Sequence, residues 1–145
     1  MCTESELKEI QNWDLKYAPD LIDRLREEWT HKDYFIEKWG VDTIHNKRPV
    51  LMLELHTGGC RSNEEIIKAL QNHKVFWLMW WYKSERGGHY YFEIDYSQIG
   101  FQTVQEFTKE NNITRQYVSK ARDKFEWIKI SYGKRLIRQH NKQTT

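Results

Sequence analysis

The chain has 145 residues, 39% of them apolar and 14% aromatic, with only two prolines, so a disordered chain is excluded and a buried core is affordable. A formal net charge of +2 is too small to name a partner, and two cysteines, Cys2 and Cys60, make no disulfide framework. The longest apolar run, residues 75–82, falls far short of a membrane span, and the opening MCTESELKEI lacks the charged-then-apolar pattern of a secretory leader; the expected setting is cytoplasmic, with no membrane contact.

Residues 1–47 read as an acidic helical segment. Apolar residues recur three or four apart: Leu7 and Ile10 within 4–13, then Leu21, Ile22, Leu25 and Trp29 within 19–29. The pattern continues over 33–39 until Gly40 stops it. Pro49 suits the first turn of a helix over VLMLELH. Ser62, with Glu65 three residues on, reads as a capping box that opens IIKALQ. In KVFWLMWWY, residues 74–82, periodicity does not separate a buried strand from a buried helix; a helix is favoured because it fits a tandem scheme described below. Residues 89–96 alternate, with Tyr90, Phe92, Ile94 and Tyr96 on one side and Tyr91, Glu93 and Asp95 on the other, which predicts a strand.

Residues 103–122, TVQEFTKENNITRQYVSKAR, read as two short helices joined by a tight turn. Thr103 and Glu106 form a capping box, Val104 and Phe107 supply an apolar stripe, and Asn111-Asn112 breaks the helix with a residue type that tolerates the left-handed region. Thr114 caps a second helix running to about Phe125, with Val118, Ala121 and Phe125 inward and Arg115, Gln116, Ser119, Lys120 and Asp123 outward. Thr108, Lys109, Glu110, Asn112, Ile113, Thr114, Tyr117, Val118, Ser119 and Lys120 fall on the places of a known pattern. The segment resembles the helix-turn-helix of phage and plasmid DNA-binding proteins, with Thr108 in place of the usual Ala and Asn112 in place of the usual Gly. EWIKIS and KRLIR, flanking Tyr132-Gly133, read as a hairpin, so the resemblance extends to winged helix-turn-helix proteins; the competing reading continues the helix through Trp127 and makes 134–145 a basic, frayed tail.

The resemblance implies a mainly α protein with small β wings, and room for two tandem modules after the N-terminal segment. Residues 48–98 would be the first, aromatic-rich module; 99–140 the second, with its basic wing; and 141–145 a disordered tail. The loop Thr57-Gly58-Gly59-Cys60-Arg61-Ser62 looks like the one entering the second helix of such modules, and at an offset of 41 Ser62, Glu65, Ile66 and Lys68 meet Thr103, Glu106, Phe107 and Lys109.

Charge is segregated in the same sense. Residues 1–60 hold 8 Lys/Arg against 12 Asp/Glu, whereas 101–145 hold 10 against 4. An excess of this kind on one segment points to a polyanion. The expected function is therefore sequence-specific binding of double-stranded DNA, as a transcriptional regulator or a replication-initiation accessory. Thr103, Thr114, Arg115, Gln116, Ser119 and Lys120 would face the DNA, with Arg115 suited to guanine and Gln116 to adenine. Arg122, Lys124, Lys134 and Arg135 would neutralise phosphates. A homodimer would double the footprint.

Other classes are weighed on particular residues. Enzymatic activity is not expected: no Walker-type loop or nucleophile elbow occurs, and Glu93 with Asp95 reads as a solvated strand face. His56, Cys60, His73 and His89 are too irregularly spaced for a familiar zinc site, so no metal or other cofactor is expected. Trp77, Trp80, Trp81, Tyr82, Tyr90 and Tyr91 could instead stack single-stranded nucleic acid, although core packing is the simpler use of such residues. A small phage-type inhibitor that binds a host protein is the remaining alternative.

Overall fold

The computed structural model describes residues 2–42, 48–131 and 134–140. The chain divides into two units, Met1–Asp95 and Tyr96–Thr145.

In the first unit, α1 (Glu4–Gln11) begins at a capping box in which Thr3 Oγ1 accepts from the Glu6 amide at 3.2 Å and Glu6 Oε1 accepts from the Thr3 amide at 3.1 Å. α2 (Ala18–Glu28) buries Leu21, Ile22 and Leu25 at helical spacing. β1 (Phe35–Val41) and β2 (Pro49–His56) follow, then α3 (Arg61–Asn72), α4 (Lys74–Trp80), β3 (Trp81–Glu85) and β4 (His89–Ile94). The four strands form one antiparallel sheet in the order β1-β2-β4-β3. Leu51, Leu53 and Leu55 alternate inward along β2 and pair in register with Ile94, Phe92 and Tyr90 of β4. The Phe92 ring meets Phe76 and Trp77 of α4 at 5.5 Å each. Met52, Glu54 and His56 of β2 point to the other face, together with His89, Tyr91 and Glu93 of β4.

Asn63, fully buried at the start of α3, ties this unit together. Its Oδ1 accepts from the Thr30 amide at 2.9 Å and its Nδ2 donates to the Thr30 carbonyl at 2.8 Å. The β3–β4 turn depends on Gly88: its φ is +84°, and a Cβ there would lie 2.2 Å from Thr57 Oγ1.

In the second unit, β5 (Gln102–Thr103) leads into α5 (Val104–Asn111), α6 (Arg115–Lys120), β6 (Phe125–Ser131) and β7 (Lys134–Gln139). The strands form an antiparallel sheet in the order β5-β7-β6. Phe107, Val118, Phe125 and Ile137 make its core, with Val104, Ile113, Ala121 and Trp127 packed around them.

The expectation of a mainly α protein with small β wings, a winged helix-turn-helix fold with tandem modules, is overturned by these two antiparallel sheets. Residues 33–39, expected helical, supply most of β1, and VLMLELH is β2. Pro49 is compatible with either reading, because Pro is tolerated at the first position of a strand as well as of a helix. α3 starts one residue before the expected cap: Cys60 is its N-cap, and the Ser62 hydroxyl instead meets Thr30 Oγ1 at 3.0 Å. The apolar run 74–82 is divided between α4 and β3. α6 stops at Lys120, and Phe125 opens a strand. Strand β1 pairs with β2 across the expected 47/48 division, and the second unit begins at Tyr96. The Tyr132-Gly133 turn and the 141–145 tail lie outside the described residues.

Candidate nucleic-acid interface

The helix pair is set by three local devices. Thr103 Oγ1 accepts from the Glu106 amide at 3.2 Å, and Glu106 Oε1 accepts from the Thr103 amide at 3.2 Å and its hydroxyl at 2.9 Å, so α5 starts where the capping box places it. Asn112 ends α5 in the left-handed region with φ of 56°. Thr114 then caps α6, its hydroxyl accepting from the Tyr117 amide at 3.1 Å. Val118 is the one buried residue of α6, which turns Thr114, Arg115, Gln116, Tyr117, Ser119 and Lys120 to solvent.

The turn after α6 adds Arg122 and Lys124, both exposed. The Arg122 guanidinium lies 5.1 Å from the Trp127 ring centroid, and the Trp127 indole donates to the Arg122 carbonyl at 2.9 Å. These contacts hold the residue without neutralising it. Lys134 and Arg135 begin β7 and are exposed. In the β6–β7 register Arg135 stands opposite Lys129, a like-charge pair of the kind that destabilises a hairpin unless an anion lies nearby. Strand alternation puts both on the face that also carries Phe125, Trp127 and Ile137, the face on which the helix pair packs.

Among the described residues, Arg115, Lys120, Arg122, Lys124, Lys129, Lys134 and Arg135 form no ion pair. Arg138 differs: it pairs with Glu126, donates to the Ile99 carbonyl at 2.9 Å and covers the Phe101 ring at 4.2 Å, so its charge is spent inside the unit. The single acid between 111 and 125 is Asp123.

Comparison with protein-family models, with curated proteins and with solved structures finds no match. The chemistry of the site therefore stands on its own residues.

The sequence-predicted residues are brought onto one unit with one exception of role. Thr103 is half-buried and its hydroxyl is engaged in the capping box. Two residues escaped the sequence reading. Tyr117, 47% exposed, was hidden by its place in the turn pattern. Lys129 becomes part of the basic surface only through its partner Arg135, although the alternation of Phe125, Trp127 and Lys129 already carried that hint.

Elsewhere the structure sorts the other candidates. Trp80 is 1% exposed and belongs to the core, so the six aromatic residues do not form one stacking surface. Trp81 and Tyr82 stay exposed, with Trp81 stacked on Trp77 at 6.1 Å. Cys2, Glu6 and Glu28 gather within metal-ligand reach of one another, but the Arg24 guanidinium lies 3.0 Å from Glu6 and 3.4 Å from Glu28 and already supplies the positive charge. Burial, with the Glu28 carboxylate alongside, pushes the Cys2 thiol up to about 11, which makes it a poor ligand near neutral pH. No helix of the described residues is long and apolar enough to cross a membrane.

Proposed function

We propose that the second unit binds double-stranded DNA through α6, the turn after it and the β6–β7 hairpin. The observation that carries this reading is the set of seven exposed cations that form no ion pair among the described residues, two of them facing each other across a strand pair. Phosphates supply the missing negative charge. Arg115, Gln116, Ser119 and Lys120 are the base-reading candidates, and Arg122, Lys124, Lys129, Lys134 and Arg135 hold the backbone.

The shortness of α6 limits what it reads. Six residues rise about 9 Å, the height of roughly three base pairs, so one copy specifies few positions. A useful operator then needs a second copy, which is why a symmetric pair of half-sites belongs to this proposal. Transcriptional regulation and replication initiation are the processes such binding serves. Selection of bound sequences from a random duplex pool, with the mass of the complex, tests it: an enriched palindrome is expected, and no enrichment at low salt would refute it.

A protein partner is the second reading, for the first unit. It rests on four exposed apolar residues close in sequence, Val75, Leu78, Trp81 and Tyr82, of which Leu78 is 86% exposed. A host protein, or a second copy of the chain, would cover them. If the second copy does, Leu78→Asp should halve the mass in solution; an unaltered dimer would remove these residues from self-association.

A further inference from the structure

The outward face of the first unit's sheet brings together two histidines that lie 33 residues apart in sequence. His56 ends β2, His89 begins β4, and they are direct partners in the register. Their Nδ1 atoms are 2.7 Å apart and their ring centroids 4.9 Å apart. At that distance one imidazole must donate and the other accept, so a shared proton holds the pair together.

The neighbouring groups carry both signs. Glu54 Oε2 lies 3.9 Å from His56 Nε2, on the side of the ring away from His89. Glu85 is the register partner of His89. The Tyr91 phenol donates to the Glu85 carboxylate, which together with the Lys83 ammonium nearby holds that carboxyl below its ordinary range. The same hydrogen bond to Glu85 pushes Tyr91 up to about 12. Two imidazole nitrogens converging on one point are a donor pair for a borderline-soft divalent ion, with the Glu54 carboxylate behind one of the rings.

We propose that His56 and His89 bind a divalent transition-metal ion of the zinc type through their Nδ1 atoms, with solvent completing the coordination. The metal takes the place of the shared proton. Tetrahedral coordination at about 2.0–2.1 Å per nitrogen needs the two Nδ1 atoms about 3.3 Å apart, so the rings part by about 0.6 Å, a small side-chain rotation on strands whose register does not change. Glu54 then acts on His56 Nε2 as an outer partner that fixes the ring, the role carboxylates commonly play behind metal-bound histidine. Sequence spacing hid the site because the ligands meet only through strand pairing.

The test is titration of the full chain with zinc chloride by calorimetry, alongside imidazole nitrogen resonances. One equivalent should bind, the Nδ1 resonances of His56 and His89 should move, and His56→Ala or His89→Gln should each weaken binding at least tenfold. Glu54→Gln should weaken it by about 10-fold or more. Cys2→Ala and His140→Ala should change nothing. Unchanged affinity in both histidine variants, resonance changes at other histidines only, or no binding by the unaltered chain up to about 1 mM zinc would each overturn the proposal.

Discussion

Removing Lys134 and Arg135 together separates binding from folding, because the two effects should have opposite signs. The seven cations of the proposed interface, Arg115, Lys120, Arg122, Lys124, Lys129, Lys134 and Arg135, give a slope of log affinity against log salt of about −6.3 if each meets one phosphate. From 50 to 200 mM salt that slope lowers affinity about 6 × 10³-fold. With Lys134→Ala and Arg135→Ala five contacts remain, the slope falls to about −4.5, and the same change of salt costs only about 500-fold. The fold should not suffer: both side chains are exposed, and the change removes the like-charge pair of Arg135 with Lys129, so stability should stay level or rise by about 0.2–1 kcal/mol. Fluorescence anisotropy of a labelled duplex at several salt concentrations reads the slope, and urea unfolding reads the stability. An unaltered slope would take the hairpin out of the interface; a loss of stability would show that these cations are structural.

Three further outcomes follow from the same structure. Arg115→Ala should cost about 1–3 kcal/mol on a preferred duplex and relax selectivity at one base pair, and a uniform loss on all sequences would make Arg115 a phosphate contact instead. Trp80→Ala should destabilise the chain by about 3–5 kcal/mol because the ring is fully buried, while Trp81→Ala should cost far less; if the Trp81→Ala, Tyr82→Ala variant folds normally but loses single-stranded binding, the stacking function returns. At pH 8 Cys60 should be alkylated at least about tenfold faster than Cys2: hydrogen bonds from Ser62 and the Asn63 amide lower the Cys60 thiol, whereas Cys2, raised to about 11, is almost wholly protonated and buried. Equal rates by peptide mass analysis would contradict these two environments.

What could be read in the sequence was whatever local chemistry decides. The Thr103–Glu106 box, the Asn112 stop and the Thr114 cap are side-chain-to-backbone arrangements complete within a few residues, and each sits where the reading put it. The alternation of 89–96 likewise marked β4, because one face of that strand is buried and the other half-open. The misreadings share one physical cause. FIEKWGV and VLMLELH have apolar residues at spacings that suit either period, and what makes them strands is their pairing with each other and with β4. In KVFWLMWWY, Phe76 and Trp80 are one helical turn apart and buried, yet Trp81 leaves the helix to pair with Phe92. Ser62 had the spacing of a cap, but a neighbour 32 residues away, Thr30, takes its hydroxyl. The basic surface was legible as a charge excess after residue 100; the opposition of Lys129 and Arg135 was not, since it exists only in the strand register.

The most direct measurement is titration of the isotope-labelled full chain with a short duplex, followed by amide and side-chain chemical shifts. Changes concentrated on residues 114–124, Lys129, Lys134 and Arg135, and fading as salt is raised, are expected. Changes confined to residues 2–95, or none at low salt, would contradict the assignment of DNA binding to the second unit.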